Sequence, residues 1–249
     1  MIDGFYQSDA LALLEWLPER PQLIFMDPPF NIGEPYLDRV QDSRPRSAFL
    51  ADLSSWIRRA SEKLAPTGSL WVHVPDDLAG HVAVFGETLD LVRLNWIIWH
   101  YRFGVWQPNR FISSKCHGLH FGLPGERVRL HPGRVQVPSD RAALYDDARS
   151  VSGKRIDLDV WGFEKYWGRV QGNNRERRKL HPNQLPELYL RRIIEYTTNP
   201  GDLVVDPFCG SGTTATVAHA LGRRFITGDL SLTCLKSAEE RVKQGAIRC

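Results

Sequence analysis

Nine residues near the C-terminal end of the chain constrain its fold more than any other stretch: Asp206-Pro207-Phe208-Cys209-Gly210-Ser211-Gly212-Thr213-Thr214. They follow the apolar run Leu203-Val204-Val205 and precede Ala215-Thr216-Val217-Ala218-His219-Ala220, which reads as a helix. A strand, a tight glycine turn and a helix start, in that order, build a cradle for a nucleotide-like ligand. Glycine lets the backbone approach the ligand closely, and the first turn of a helix offers N–H groups that have no partner inside the helix. The turn contains no lysine and lacks the phosphate-loop spacing, which argues against a triphosphate.

A second motif lies far upstream. The apolar strand Leu23-Ile24-Phe25-Met26 ends in Asp27-Pro28-Pro29-Phe30. A carboxylate, a rigid diproline and an aromatic ring thus sit at the C-terminal end of a strand, where open α/β sheets place their ligands.

Together the two motifs resemble the DNA amino-methyltransferase family, which methylates the exocyclic nitrogen of adenine or cytosine with S-adenosyl-L-methionine. Their order, with the Asp-Pro-Pro-Phe motif first, resembles the beta group of that family. Tyr6-Gln7-Ser8-Asp9-Ala10-Leu11 is similar to the family's short segment before the catalytic strand, and His181-Pro182-Asn183-Gln184-Leu185-Pro186-Glu187 to the segment before the glycine motif. Leu185 stands where the family usually has lysine, so one polar contact of the family is missing here. The resemblance spans about the first 35 residues and the stretch from about 157 to 243.

Composition agrees with a nucleic-acid partner. Hydrophobic residues make up 42% and charged residues 24% of 249, ordinary for a globular chain. The net charge of +3 conceals an asymmetry: residues 100–180 hold sixteen Lys and Arg against eight Asp and Glu, a balance of +8, and the remainder carries −5. The middle segment is therefore the expected polyanion contact, and the acidic remainder the catalytic scaffold. No run reaches the roughly 18 apolar residues of a membrane span, and Met1-Ile2-Asp3-Gly4-Phe5 has neither the charge nor the apolar stretch of a signal peptide. Cys116, Cys209, Cys234 and Cys249 show no paired spacing. A reducing cytoplasm, in association with the nucleoid, is the expected location.

Periodicity places helices at 10–17, 49–64, 78–89, 185–196 and 232–242, and strands at 23–26, 69–74, 92–101, 203–205 and 224–228. Between 104 and 180 the pattern weakens into short apolar pieces broken by Gly, Pro and Arg. Alternating strands and helices imply an α/β fold with a mostly parallel central sheet. The resemblance makes this the Rossmann-like fold of S-adenosylmethionine-dependent methyltransferases. Residues 1–103 and 181–249 would form the catalytic and cofactor-binding domain, and 104–180 an inserted target-recognition region.

Roles follow from the resemblance residue by residue. Asp27 and the Pro28 carbonyl would accept the two hydrogens of the target amine, Pro28 and Pro29 would fix their aim, and Phe30 would stack on the base. The cofactor would be held by Asp9, Asp27, His181, Asp206, Pro207, Phe208, Gly210, Ser211, Gly212, Thr213 and Asp229. Local structural roles compete with four of these: an N-cap for Asp9, a strand-end turn residue capping a backbone amide for Asp27, a turn carboxylate for Asp206 and a helix-start charge for Asp229. Arg175, Arg177, Arg178 and Lys179 form a basic run that contacts DNA phosphates or is a solvated face. Trp106, Trp161, Tyr166 and Trp167 serve as core or touch DNA. Cys116, His117 and His120 lack a fourth ligand at metal spacing, so no metal is expected. The expected partner is double-stranded DNA, with a homodimer left open. Asp at the first position of the Asp27 motif leans toward adenine N6 in this family. Cytosine N4 is the alternative, followed by an RNA methyltransferase or a DNA-binding homologue without activity.

Overall fold

The computed structural model describes residues 4–33, 38, 42–102, 104, 106, 108–145, 152–162, 170, 174–178, 181 and 183–247. The chain begins with β1 (Gly4–Gln7), α1 (Ala10–Trp16), β2 (Leu23–Met26), α2 (Arg46–Lys63), β3 (Ser69–Pro75), α3 (Asp76–Thr88) and β4 (Val92–His100). The middle adds β5 (Lys115–Gly122), β6 (Gln136–Pro138), α4 (Asp140–Tyr145), β7 (Lys154–Ile156) and β8 (Val160–Trp161). The remainder is α5 (Glu187–Thr197), β9 (Leu203–Asp206), α6 (Thr213–Ala220), β10 (Arg224–Asp229) and α7 (Leu232–Gln244).

Among the described residues, eight strands form one sheet in the order β1-β10-β9-β2-β3-β5-β4-β8. All its pairings are parallel except those that β5 makes with β3 and β4. The expected mostly parallel α/β sheet is present. Its central strands read as continuous apolar runs because both faces are covered. Along β2, Ile24 and Met26 pack with α1, α2 and α3 through Leu14, Leu53, Ile57 and Val82. Leu23 and Phe25 point the other way, into a cluster with Tyr189, Leu190 and Ile193 of α5 and Val217 of α6.

This division fixes where a ligand can bind. From β2 the chain moves outward to β3 through α2 on one face, and from β9 it moves outward to β10 through α6 on the other. The crossovers diverge between the adjacent strands β2 and β9, so a crevice opens at their C-terminal ends. Asp27 and Asp206 stand at those two ends.

The middle segment, expected as an insert beginning at residue 104, contributes strands to the sheet. β5 lies between β3 and β4, with Val72 opposite Leu119 and Trp96 opposite Leu119, and β8 extends the far edge beside β4. The β6–β7 hairpin forms its own two-stranded sheet. β5 hides in the sequence because Gly118, His117 and His120 interrupt its apolar run, although all three are buried. Each has a packing reason. A Cβ on Gly118 would lie 2.7 Å from the Tyr189 hydroxyl oxygen. His117 pairs with Asp76 through Nε2 and accepts the Trp96 indole N–H at Nδ1, and His120 Nε2 meets Ser69 Oγ at 2.9 Å. Burial lowers the His120 pKa to about 3, so it is neutral at physiological pH. β1, absent from the periodicity, pairs with β10 at the near edge.

Candidate active site

A cavity of about 210 Å³ opens at the C-terminal ends of β2, β9 and β10. Its walls include Asp9, Asp27, Pro28, Pro29, Phe30, His181, Asp206, Pro207, Phe208, Gly210, Ser211, Thr213 and Asp229, so both sequence motifs meet in one place. Three further wall residues, Arg44, Trp56 and Leu230, carried no signal in the sequence. Trp56, on α2, meets Phe208 edge to face with ring centroids 5.0 Å apart.

The glycine turn is held by carboxylates. Asp206 Oδ1 accepts the Phe208 N–H at 2.9 Å, and Asp229 accepts the Gly210 N–H at Oδ2 and the Ser231 N–H at Oδ1, both at 2.9 Å. Gly210 has φ +50°, and a Cβ there would sit 2.8 Å from His181 Nε2. Only glycine lets the turn and the histidine ring pack so closely. Burial lowers the His181 pKa to about 4, so the ring faces the cavity uncharged. Burial raises Asp206 to about 7, with the charge of Asp229 adding to the shift. Asp9 caps α1 by accepting the Ala12 N–H at 2.9 Å, while Ser8, Asp9 and Ala10 also line the cavity.

Gly212 packs against α7. It is absent from the cavity wall; its φ is +74°, and a Cβ would lie 2.5 Å from the Ala238 Cβ on α7. The glycine is needed for packing of α7 against the start of α6. Gly212→Val is therefore expected to destabilise the fold by about 2–5 kcal/mol, from overpacking and a left-handed β-branched residue together. Thermal melting of the ligand-free variant checks this; an unchanged Tm with weakened cofactor binding would show that Gly212 serves the cofactor instead.

The Asp27 loop is clamped from outside the motif. Asp42, buried, accepts the Asn31 and Ile32 N–H groups on its two carboxylate oxygens at 2.8 and 3.1 Å, and its carbonyl accepts the Gly33 N–H at 2.8 Å. The Asn31 amide exchanges two hydrogen bonds with the Arg44 backbone, and Asn31 itself is left-handed at φ +58°. Behind the loop, the Phe30 ring lies 6.4 Å from that of His73, and His73 Nδ1 pairs with the Tyr189 hydroxyl at 3.0 Å. Burial, the Cys116 thiol and the Asp27 carboxylate all push the Tyr189 hydroxyl well above its usual pKa.

Two fully buried charges lock the underside of the turn. Arg241 on α7 pairs with Glu187 at the start of α5 at 2.9 Å. It also donates to the Ser211 carbonyl at 3.1 Å and the Thr213 hydroxyl at 2.7 Å. Glu187 Oε2 accepts the Ile247 N–H at 2.7 Å, tying the last turn of chain to the same point.

The basic run divides. Arg175 and Arg177 are exposed, Arg178 is half-buried, and Lys179 lies outside the described residues. Glu176 between them is buried and accepts the Glu187 N–H at 2.9 Å, which fastens this turn to the start of α5. Trp161 is buried core and Trp106 is exposed, while Tyr166 and Trp167 lie outside the described residues.

A family model described as DNA methylase, covering N6 and N4 methyltransferases, matches residues 22–240. The chain belongs to this family. The methylase is 26% identical over 250 residues to the type II methyltransferase M1.MboII of Moraxella bovis, spanning 95% of each chain. It is 28% identical to the DNA adenine methyltransferase YhdJ of Escherichia coli K12, over 94% of this chain and 81% of that protein. Its fold matches the cytosine-N4-specific PvuII DNA methyltransferase with a TM-score of 0.73 at 19% identity, over 96% and 86% of the two chains.

The family's methyl donor is S-adenosyl-L-methionine, and the cavity suits it. Among the described residues, Asp9, Asp27, Asp206 and Asp229 line it against Arg44 alone among arginines and lysines, beside the aromatic faces of Phe208 and Trp56. An acidic, partly aromatic cleft matches a cationic sulfonium nucleoside and repels phosphates. Among the described residues, no group of His, Cys, Asp and Glu is placed to hold a metal, and no helix is long and apolar enough to cross a membrane.

Proposed function

We propose that the methylase transfers the methyl group to N6 of an adenine turned out of double-stranded DNA. The observation that carries amine methylation is Asp27, set by the diproline at the end of β2 and facing the same cavity as Asp206 and Asp229; the choice of adenine rests on the family's lean toward N6 where Asp opens this motif. An exocyclic base amine is a poor nucleophile because its lone pair is delocalised into the ring. Asp27 accepts one amine hydrogen and the Pro28 carbonyl the other, which draws the nitrogen toward a tetrahedral geometry, and the carboxylate stabilises the positive charge that develops there. Phe30 stacks on the base, offsetting part of the few kcal/mol needed to take it out of the duplex. The bound cofactor supplies a methyl group already activated by its sulfonium. Asp206 faces the amino-acid end of that ligand and Asp229 its ribose.

The target atom is decided by digesting methylated DNA to nucleosides and identifying the product by mass spectrometry. N6-methyldeoxyadenosine is expected. N4-methyldeoxycytidine would move the assignment to cytosine, which the same two acceptors can serve.

Asp206 makes cofactor binding depend on pH. A carboxyl raised from 3.8 to about 7 in the folded protein favours the protonated form, so its contribution to ligand-free stability declines as pH climbs from about 4 to 7. A cation bound beside it favours the carboxylate, so binding below pH 7 releases a proton. S-adenosylmethionine affinity is expected to weaken by up to about tenfold per pH unit below 7, and Asp206→Asn to flatten the profile. Calorimetry between pH 5.5 and 8 reads this directly, and a flat wild-type profile would remove Asp206 from the binding site.

A further inference from the structure

The connection between β4 and β5 projects from the same edge of the sheet as Asp27. β2 runs parallel to β3, with Met26 opposite Val72, so Asp27 leaves the sheet on the side where β3 ends at Pro75. β5 runs back against β3 with Cys116 opposite Pro75, and β4 delivers His100 opposite Lys115. The described residues of this connection, 101, 102, 104, 106 and 108–114, therefore emerge beside the catalytic loop, two strands or about 10 Å across the sheet.

This connection is built as a narrow ribbon. The ladder continues past the sheet, with the Tyr101 N–H donating to the Ser114 carbonyl at 2.8 Å. At Gly104 the two arms press together: a Cβ there would lie 2.2 Å from the Ser113 carbonyl oxygen and 2.5 Å from the Ile112 Cγ2. Beyond that point the tip presents Phe111, 100% exposed, with Trp106 at 72% and Ile112 at 47%. Arg102 and Arg110 are exposed beside them, and residues 101–114 contain no Asp or Glu. Large apolar groups held in water on a basic ribbon mark an interaction surface. A polyanion with apolar faces to offer matches both properties, and stacked DNA is such a partner.

We propose that this ribbon opens the duplex: Phe111, with Trp106 beside it, enters the base stack and fills the space left by the extruded target base, while Arg102 and Arg110 meet the flanking phosphates. The inference rests on the reading of the protein as a methylase of duplex DNA. Apolar wedges between base steps are an established way of holding a duplex unstacked, and aromatic side chains stack on any base.

The test uses the full chain, with Phe111→Ala, Trp106→Ala and the conservative Phe111→Trp. Both targeted side chains are exposed, so the variants should melt with the wild type. Two duplexes carry the site that the wild type methylates; one is fully paired, and the other has an abasic position opposite the target base. Phe111→Ala is expected to lower kcat/KM at least about tenfold on the paired duplex but to stay within about threefold of wild type on the abasic one, as expected when loss of stacking makes extrusion harder. Phe111→Trp should restore the paired rate. Equal losses on both duplexes, or none on either, would overturn the proposal. So would sedimentation showing that Phe111→Ala converts a wild-type dimer to monomer with duplex kinetics unchanged, because the tip would then cover a second copy. A wild type that methylates no DNA would overturn the functional reading instead. In that case anisotropy with a fluorescein-labelled 40-base-pair duplex decides on the ribbon: weaker binding by Phe111→Ala supports it and unchanged affinity overturns it.

Discussion

Asp27→Ala is expected to slow methyl transfer by about a hundred- to a thousandfold while S-adenosylmethionine still binds. The carboxylate ends β2, is held by a diproline, and belongs to a loop that Asp42 and the Arg44 backbone fix through five hydrogen bonds. Removing it leaves that loop in place, because none of those bonds involves the Asp27 side chain. The loss should therefore appear in the single-turnover rate, where a group acting on the developing charge is felt, and only slightly in the cofactor Kd. Rapid-quench kinetics with saturating DNA, beside calorimetric titration of the cofactor, separates the two. Activity within threefold of wild type would remove Asp27 from the chemistry.

Arg241→Met is expected to lower stability by about 3–5 kcal/mol, because it leaves the Glu187 carboxylate buried without its counter-charge. Both side chains of the pair are 0% exposed. For a chain of this size the corresponding fall in Tm is roughly 6–20 °C. The loss should also reach the cofactor, since Arg241 holds the Ser211 carbonyl and the Thr213 hydroxyl from beneath the glycine turn. The double replacement Arg241→Met with Glu187→Gln should recover much of the stability without restoring cofactor affinity, as it removes the stranded charge but not the missing anchor. Equal melting temperatures for wild type and Arg241→Met would show that the pair contributes nothing net.

Both site motifs are legible in the sequence because each is contiguous and sits at the end of an apolar strand. The alternation that marks the helices is equally local: α1, α3 and α7 fall within two residues of their expected limits. α2 starts three residues earlier than its apolar pattern, since Arg46 to Ala48 form a solvent-facing first turn after Pro45. What escapes is settled by distant partners. β5 is buried through His117, Gly118 and His120, whose polarity or small size is matched by Asp76, Trp96, Tyr189 and Ser69 from elsewhere in the chain. Asp42 looks like one more loop carboxylate until Asn31 and Ile32 are folded back onto it. Gly212 is recognisable as a glycine of the turn, but the atom that forbids a side chain there belongs to Ala238.

The pairing of β2 with β9, which brings Leu23 opposite Val204, also sets a timetable for synthesis. About 180 residues separate the two strands, so at roughly 5–20 residues per second the ribosome leaves one apolar edge of β2 without its neighbour for about 10–35 s. Until β9 emerges, the growing chain has a catalytic loop but no glycine turn beside it, and an open strand edge suited to pairing with another chain. Long-range parallel pairings of this kind form late and slowly. The crevice that admits the ligand is thus a late seam of the molecule to close, and the edge of β2 that awaits β9 is where chaperone shielding of the nascent chain matters.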